Sequence, residues 1–225
     1  MRCVGATIVR NRMSKDWIPA EWPAPAGIVA GTTIRDSTFE LPTEPLFLKQ
    51  VHGTRVVRWG TAAFDNGPPE ADAIISDQPG SMCLVQTADC LPILLCARDG
   101  SEIAAIHAGW RGLAAGIINA TLDEMQAQGE GLLAWLGPAI TQDAFEVGLE
   151  VRDSFGEWGE IDDFFRPNAR GRLQADLLGL ARAMLRARGV EPYGEDHCTF
   201  ADAERFYSFR RDGTAGRLLS FVYRP

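Results

Sequence analysis

The sequence predicts an α+β domain whose sheets are mostly antiparallel or mixed. A series of β-rich runs precedes the first long helical run. Strands and helices then follow without the regular alternation that a doubly wound parallel sheet requires. No internal repeat and no linker divides the chain, so residues 1–225 are expected to form a single domain.

Composition agrees with this. A chain of 225 residues buries roughly 70% of its unfolded surface and needs no covalent staples. Hydrophobic residues at 46% and charged residues at 23% match a water-soluble globular protein. The net charge of -8 argues against a nucleic-acid partner, because a phosphate backbone is met by a basic stripe and none is present. Only Arg182, Arg186 and Arg188 gather, late in a helical run where cations suit the helix dipole. The five cysteines are an odd number without a CxxC pair, the pattern of reduced thiols in a cytosolic protein. The N-terminus has no signal-peptide-type apolar region, and no apolar window reaches membrane-spanning length. A cytoplasmic protein with no membrane partner is therefore expected.

In chain order, residues 3–9 read as a strand. Residues 11–25 are rich in Pro and Trp and read as irregular, with Trp17 and Trp22 folding back on the core. Residues 28–34 are apolar and β-branched, a strand, and 36–45 a loop. The runs 46–51 and 54–59 flank His52-Gly53, a tight turn or bulge between two strands. Short strands at 71–75 and 82–86 follow. After Gly112 the period changes. Leu113, Ile117, Thr121 and Met125 lie four apart, an amphipathic helix running to about Gln128 and stopped by Gly129. Residues 132–136 read as a strand, 145–155 as a helix and 162–170 as a loop. Residues 173–188 form a helix with Leu177, Leu180, Ala181, Met184 and Leu185 on its apolar face, stopped by Gly189. His197-Cys198-Thr199 is a short extended piece, and 218–223 is the last strand.

Chemistry concentrates between Thr87 and Gly112. Two apolar runs, Ile93-Leu94-Leu95-Cys96 and Ile103-Ala104-Ala105-Ile106, flank an Asp99-Gly100 turn. Paired as a hairpin, they bring Cys90 and His107 near one another. A thiol beside an imidazole is a soft metal site or a nucleophile–base pair. With only three histidines in the chain, His52 at its own strand end is the natural third donor. His52, Cys90 and His107 could hold zinc and leave a fourth position for water or substrate. Alternatively Cys90 is a nucleophile with His107 as base, oriented by Asp72 or Asp89, although Asp89 points to the face opposite Cys90 in an extended segment. The bland alternative is two hydrogen-bonded core histidines and an inert thiol. Gln50, two residues before His52, shares its face. Arg111-Gly112 opens the following helix, where an arginine and free N–H groups suit a phosphate or carboxylate; the alternative is an arginine on a nearby carbonyl. Trp110 could stack on a planar ring or cover the core.

The motifs, taken in order, carry a more specific signal. They are Lys49-Gln50-Val51-His52-Gly53, Ala71-Asp72-Ala73, Thr87-Ala88-Asp89-Cys90-Leu91-Pro92, His107-Ala108-Gly109-Trp110-Arg111-Gly112, Leu136-Gly137-Pro138-Ala139-Ile140, and Phe206-Tyr207-Ser208-Phe209-Arg210-Arg211-Asp212-Gly213 with Gly216-Arg217. From about residue 46 to the C-terminus the chain resembles the YfiH family, the laccase-domain or polyphenol-oxidase-like purine nucleoside phosphorylases.

The resemblance implies a four-layer α/β/β/α sandwich and a zinc site (copper being the other candidate) at His52, Cys90 and His107, which would also be the catalytic residues. It implies phosphorolysis of adenosine, inosine, guanosine and methylthioadenosine, with adenosine deamination alongside. Purine nucleoside and phosphate would then be the partners, and Arg35, Gln50 and Arg111 the substrate-binding candidates. Older naming assigned copper-dependent phenol oxidation, and members have been linked to peptidoglycan editing. A multi-copper laccase centre needs more histidines than this chain has. A metal-independent cysteine hydrolase using Cys90 and His107 is a further alternative. Toward the N-terminus the chain departs from the family pattern. Thr32-Thr33-Ile34-Arg35 keeps the arginine, but Asp36-Ser37-Thr38 replaces a glycine-rich loop, and the short interval before Leu46 leaves no room for the helix that members carry. Ser208, Arg210 and Arg211 match a family motif and are expected to line the pocket or to hold its structure.

Overall fold

The computed structural model describes residues 16–213 and 215–225; the strand expected at 3–9 lies outside the described residues. The strands are β1 (Trp17–Pro19), β2 (Val29–Thr33), β3 (Val56–Arg58), β4 (Ala73–Ser76), β5 (Ser81–Thr87), β6 (Leu91–Ala97), β7 (Ile103–Ala108), β8 (Leu132–Leu136), β9 (Glu146–Val147), β10 (Phe165–Pro167), β11 (Leu173–Ala175), β12 (Glu191–Tyr193) and β13 (Leu218–Arg224). The helices are α1 (Trp110–Ala114), α2 (Ile117–Glu124), α3 (Leu149–Asp153), α4 (Leu177–Ala187) and α5 (Phe209–Asp212).

Two sheets stack face to face. One is six-stranded, in the order β12-β8-β6-β7-β4-β3, and the other four-stranded, β1-β2-β13-β5. The four-stranded sheet is antiparallel throughout, while the six-stranded sheet is mixed, with β3–β4 and β8–β12 parallel. Alternation along β6 explains the layering. Ile93 and Leu95 face the helices, where Ile117, Leu122, Leu177 and Leu180 meet them. Leu94 and Cys96 face the other sheet and meet Val85 and Val222. The outer face of the four-stranded sheet presents Met82, Leu84 and Phe221, with Trp17, Phe39 and Leu41 over them. Trp17 stacks on Phe39 at 4.8 Å and on Phe221 at 5.7 Å between ring centroids. Residues 34–48 contain no helix, so this last layer is a loop studded with aromatic side chains, as the short interval after Arg35 requires. The architecture is the expected α+β domain, rich in sheet and with few helices.

Several elements differ from expectation. The irregular segment 11–25 contains β1, while Trp17 and Trp22 do pack on the core. The run 46–51 is not a strand and makes only an isolated bridge, Lys49 to Glu70. Its next N–H groups go to a side chain instead of a neighbouring strand, as described below. The helix expected over 113–128 is two pieces. Gly116, at φ 95°, breaks it, and it ends at Glu124. There the Gln128 amide caps the carbonyls of Leu122 and Met125 at 2.7 Å each, so Gly129 is not the stop. The helix expected over 145–155 shrinks to α3, because Glu146 and Val147 pair with β11. For the same reason α4 begins only at Leu177, where Asp176 caps it by accepting the Gly179 N–H at 2.8 Å. The loop at 162–170 supplies β10 to this small third sheet.

Candidate active site

The hairpin about Asp99-Gly100 forms as expected. Its register sets Leu91 opposite Ala108 and Pro92 opposite His107, so Cys90, one residue before β6, meets the end of β7. His52 arrives from the loop before β3, in a left-handed conformation at φ 61°. One donor atom from each of His52, Cys90 and His107 lies within 4.8 Å of the others. Cys90 Sγ is 3.6 Å from His52 Nε2, and the two imidazoles meet edge to face at 4.7 Å between centroids.

Asp72, fully buried just before β4, organises the two histidines. Its Oδ1 accepts from His107 Nδ1 at 2.8 Å and from the His52 N–H at 2.9 Å. Its Oδ2 accepts the N–H groups of Gly53 at 2.7 Å and Val51 at 3.2 Å. The Asp72 carbonyl accepts the His107 N–H at 2.7 Å. A buried carboxylate must be neutralised by such donors, and these four explain why the chain turns at His52 rather than continuing a ladder. With Nδ1 committed to Asp72, His107 is left with Nε2 to offer the cluster. Glycine makes the approach possible at one further point. A Cβ on Gly109 would fall 2.6 Å from His52 Cδ2 and 3.0 Å from Cys90 Sγ.

The cluster is electrostatically coupled. Burial disfavours the Cys90 thiolate, but hydrogen bonds from His107 and then His52, with their charge, bring the thiol down to about 6. Burial likewise works against the His107 cation, but Asp72 and Cys90 raise it to about 9. Two imidazoles and a low-lying thiolate are donors of the kind zinc takes, in the three-ligand number that leaves a position for water or substrate. The residues therefore fit a metal ion.

The trio opens into a cavity of about 450 Å³, lined also by Gln50, Thr87, Trp110, Arg111, Phe145, Phe209, Arg210 and Arg217. Gln50 reaches it with its amide already engaged. Nε2 donates to the Gln86 carbonyl at 2.7 Å and Oε1 accepts the Gln86 N–H at 2.8 Å. Arg111 lies with its guanidinium 4.3 Å from the Trp110 ring centre. The helix opens at Trp110, ahead of Leu113 where it is expected to begin. Arg35 is not among the residues lining the cavity. It pairs with Asp212 at 2.9 Å and stacks on Tyr207 at 4.7 Å.

Asp89, the other candidate to orient His107, serves elsewhere: Oδ1 accepts the Thr199 hydroxyl and Oδ2 the Arg210 N–H, both at 2.7 Å. Arg211 is structural, donating to the carbonyls of Thr199, Phe200 and Phe206, and Ser208 caps α5 through the Arg211 N–H. Arg210 and Arg217, by contrast, do line the cavity. The four described cysteines, Cys83, Cys90, Cys96 and Cys198, are free thiols. Among the described residues no helix is long and apolar enough to cross a membrane.

A family model described as multi-copper polyphenol oxidoreductase laccase matches residues 26–225. The chain belongs to this family. Among curated members of the laccase-domain family, a Pseudomonas aeruginosa protein named purine nucleoside phosphorylase is 42% identical over 92% of this chain and 98% of its own. The Escherichia coli purine nucleoside phosphorylase YfiH is 45% identical over 81% of this chain and 75% of its own. The crystal structure of a Neisseria meningitidis family protein superposes with a TM-score of 0.85 at 36% identity, covering 93% of this chain and 99% of that one. In the laccase-domain fold, then, the site stands at one end of a central hairpin. Of the two aspartates that the sequence offered to orient His107, Asp72 is the one that does so; its hold on the His52 turn is what spacing did not show. A lone aspartate between alanines in a buried strand was the available signal, since such a charge must have partners.

Proposed function

We propose that this protein is a zinc-dependent purine nucleoside phosphorylase with an accompanying adenosine deaminase activity, acting on adenosine, inosine, guanosine or methylthioadenosine. The carrying observation is the His52, Cys90 and His107 cluster lining one cavity, in a chain whose curated relatives are named purine nucleoside phosphorylase. His52, Cys90 and His107 would hold the ion, which when bound supplies Lewis acidity. In phosphorolysis a phosphate oxygen forms the bond to C1′ of the ribose as the C1′–N bond to the purine breaks. The base departs with the proton that hydrogen phosphate gives up. Arg111, carrying charge into the cavity, suits the phosphate. Trp110 and Phe145 are aromatic walls of the cavity, with the guanidiniums of Arg111 and Arg210 over their rings. Asp72 holds the His107 tautomer, and Gln50 fixes the Gln86 backbone in the cavity wall. Free thiols suit a reducing compartment such as the cytoplasm. Three histidines in all speak against a multi-copper oxidase centre.

The test is chromatography of adenosine incubated with purified, metal-analysed protein, with and without phosphate. Adenine that appears only with phosphate reports phosphorolysis, and inosine reports deamination. Equal adenine release by Cys90→Ala and the parent protein would sink the assignment.

A further inference from the structure

We propose that Arg210 is a second anion-binding side chain of the cavity, completing with Arg111 a two-guanidinium clamp for the phosphate co-substrate. The choice of phosphate rests on the phosphorolysis reading. The clamp itself rests on how the molecule treats its arginines. Arg35, Arg152, Arg166, Arg170, Arg182 and Arg188 each have a carboxylate partner. Among the described residues Arg55, Arg98, Arg172 and Arg224 have none, but they do not line the cavity; Arg111 and Arg210 do, and neither makes an ion pair. Each is backed by an aromatic ring instead, Arg111 by Trp110 at 4.3 Å and Arg210 by Phe145 at 5.4 Å. A ring supports a guanidinium through its face without neutralising it, and leaves edge N–H groups for an acceptor in the plane. One edge of Arg210 is tied at 3.0 Å to the carbonyl of Glu146. The Glu146 carboxylate is turned to Arg170 and Asn168, both at 2.6 Å. Asp89 makes no ion pair with the guanidinium either, since its two oxygens take the Thr199 hydroxyl and the Arg210 backbone N–H. That last bond has a geometric consequence: Asp89 adjoins Cys90 in the chain, so it ties Arg210 to the reacting end of the cavity. In a chain of net charge -8, two unneutralised guanidiniums on the walls of one cavity select an anion, and a tetrahedral oxyanion can take edge pairs from both.

The test compares the zinc-loaded parent with Arg210→Gln, and with Arg166→Gln as a control away from the cavity. In adenosine phosphorolysis, Arg210→Gln should raise the phosphate KM roughly tenfold or more, as loss of a charged hydrogen bond does. The nucleoside KM and zinc content should change less than about twofold, and Arg210→Lys should recover part of the loss because it restores charge without the planar fork. Separately, inorganic phosphate should raise the melting temperature of the parent and of Arg166→Gln but not of Arg210→Gln. An unchanged phosphate KM, or equal phosphate stabilisation of Arg210→Gln and the parent, overturns the clamp. Phosphate stabilisation that depends on Arg210, in a protein that cleaves no nucleoside, upholds the clamp and removes the phosphorolysis reading instead.

Discussion

Asp72 Oδ1 accepts from His107 Nδ1 at 2.8 Å, and the same carboxylate gathers the backbone N–H groups of Val51, His52 and Gly53. One buried side chain thus fixes the tautomer of one imidazole and the turn that carries the other.

Replacing Asp72 by Asn should separate these roles. An amide oxygen can still accept a backbone N–H, but the amide nitrogen cannot accept from His107, whose ring then moves its proton to Nε2. Metal affinity should fall about 10–100-fold, read by competition with a chelator, while the far-UV circular dichroism stays that of the parent. Asp72→Ala should also destabilise the fold by roughly 1–3 kcal/mol per orphaned buried group.

Metal loading should release protons in a pH-dependent count. In the metal-free protein the Cys90 thiol is brought down to about 6, against its burial, by His107 and His52. His107 is raised to about 9, again against burial, by Asp72 and Cys90. Between those values the pair carries one proton, on His107. Zinc should displace about one proton from the pair near neutral pH, fewer as pH rises through about 9, and a second as pH falls below about 6. Calorimetric titration in buffers of different ionisation heat measures this. In the unfolded chain, between the ordinary values of 6.5 and 9.0, the thiol holds that single proton. The raised and lowered groups therefore cancel, and the pair adds no pH slope to stability across that window.

Gly109→Ala is a steric test of the site. Gly109 sits at φ -66°, ψ 156°, which alanine adopts freely, so any effect comes from the added carbon against His52 and Cys90. Zinc content should drop severalfold by elemental analysis, with a stability loss of about 1–3 kcal/mol for the crowding.

Arg35→Gln should leave both substrate KM values within about twofold, because Arg35 does not line the cavity. It should lower the melting temperature by about 2–4 °C, as loss of roughly 1 kcal/mol does at this chain length. A large rise in phosphate KM would put Arg35 in the site after all.

The parts of the fold that the residues announce are those where the backbone satisfies itself. The hairpin of β6 and β7 is two apolar runs about Asp99-Gly100, and its pairing follows from pattern alone. The candidate metal trio is chosen from residue type, since few other imidazoles compete. What pattern does not reveal is a side chain taking over backbone duty. Asp72 takes the N–H of Val51, at the end of a run that reads as a strand, and those of His52 and Gly53 in the turn after it, and Gln128 ends a helix before its glycine. The split of 145–155 and 173–188 has another cause. Glu146 and Val147 pair with Gln174 and Leu173, far along the chain, which local periodicity does not encode.

The three candidate metal ligands do not share one mechanical fate. Cys90 and His107 are anchored to β6 and β7, which have strands on both sides, the part of a protein that opens only with global unfolding. His52 rides a loop outside the ladders, beside Val51 at 47% exposure. Ion exchange should therefore proceed by brief excursions of that loop through a two-coordinate state on the hairpin. A chelator would strip the site at the loop's opening rate while the amide hydrogens of β6 and β7 remain protected.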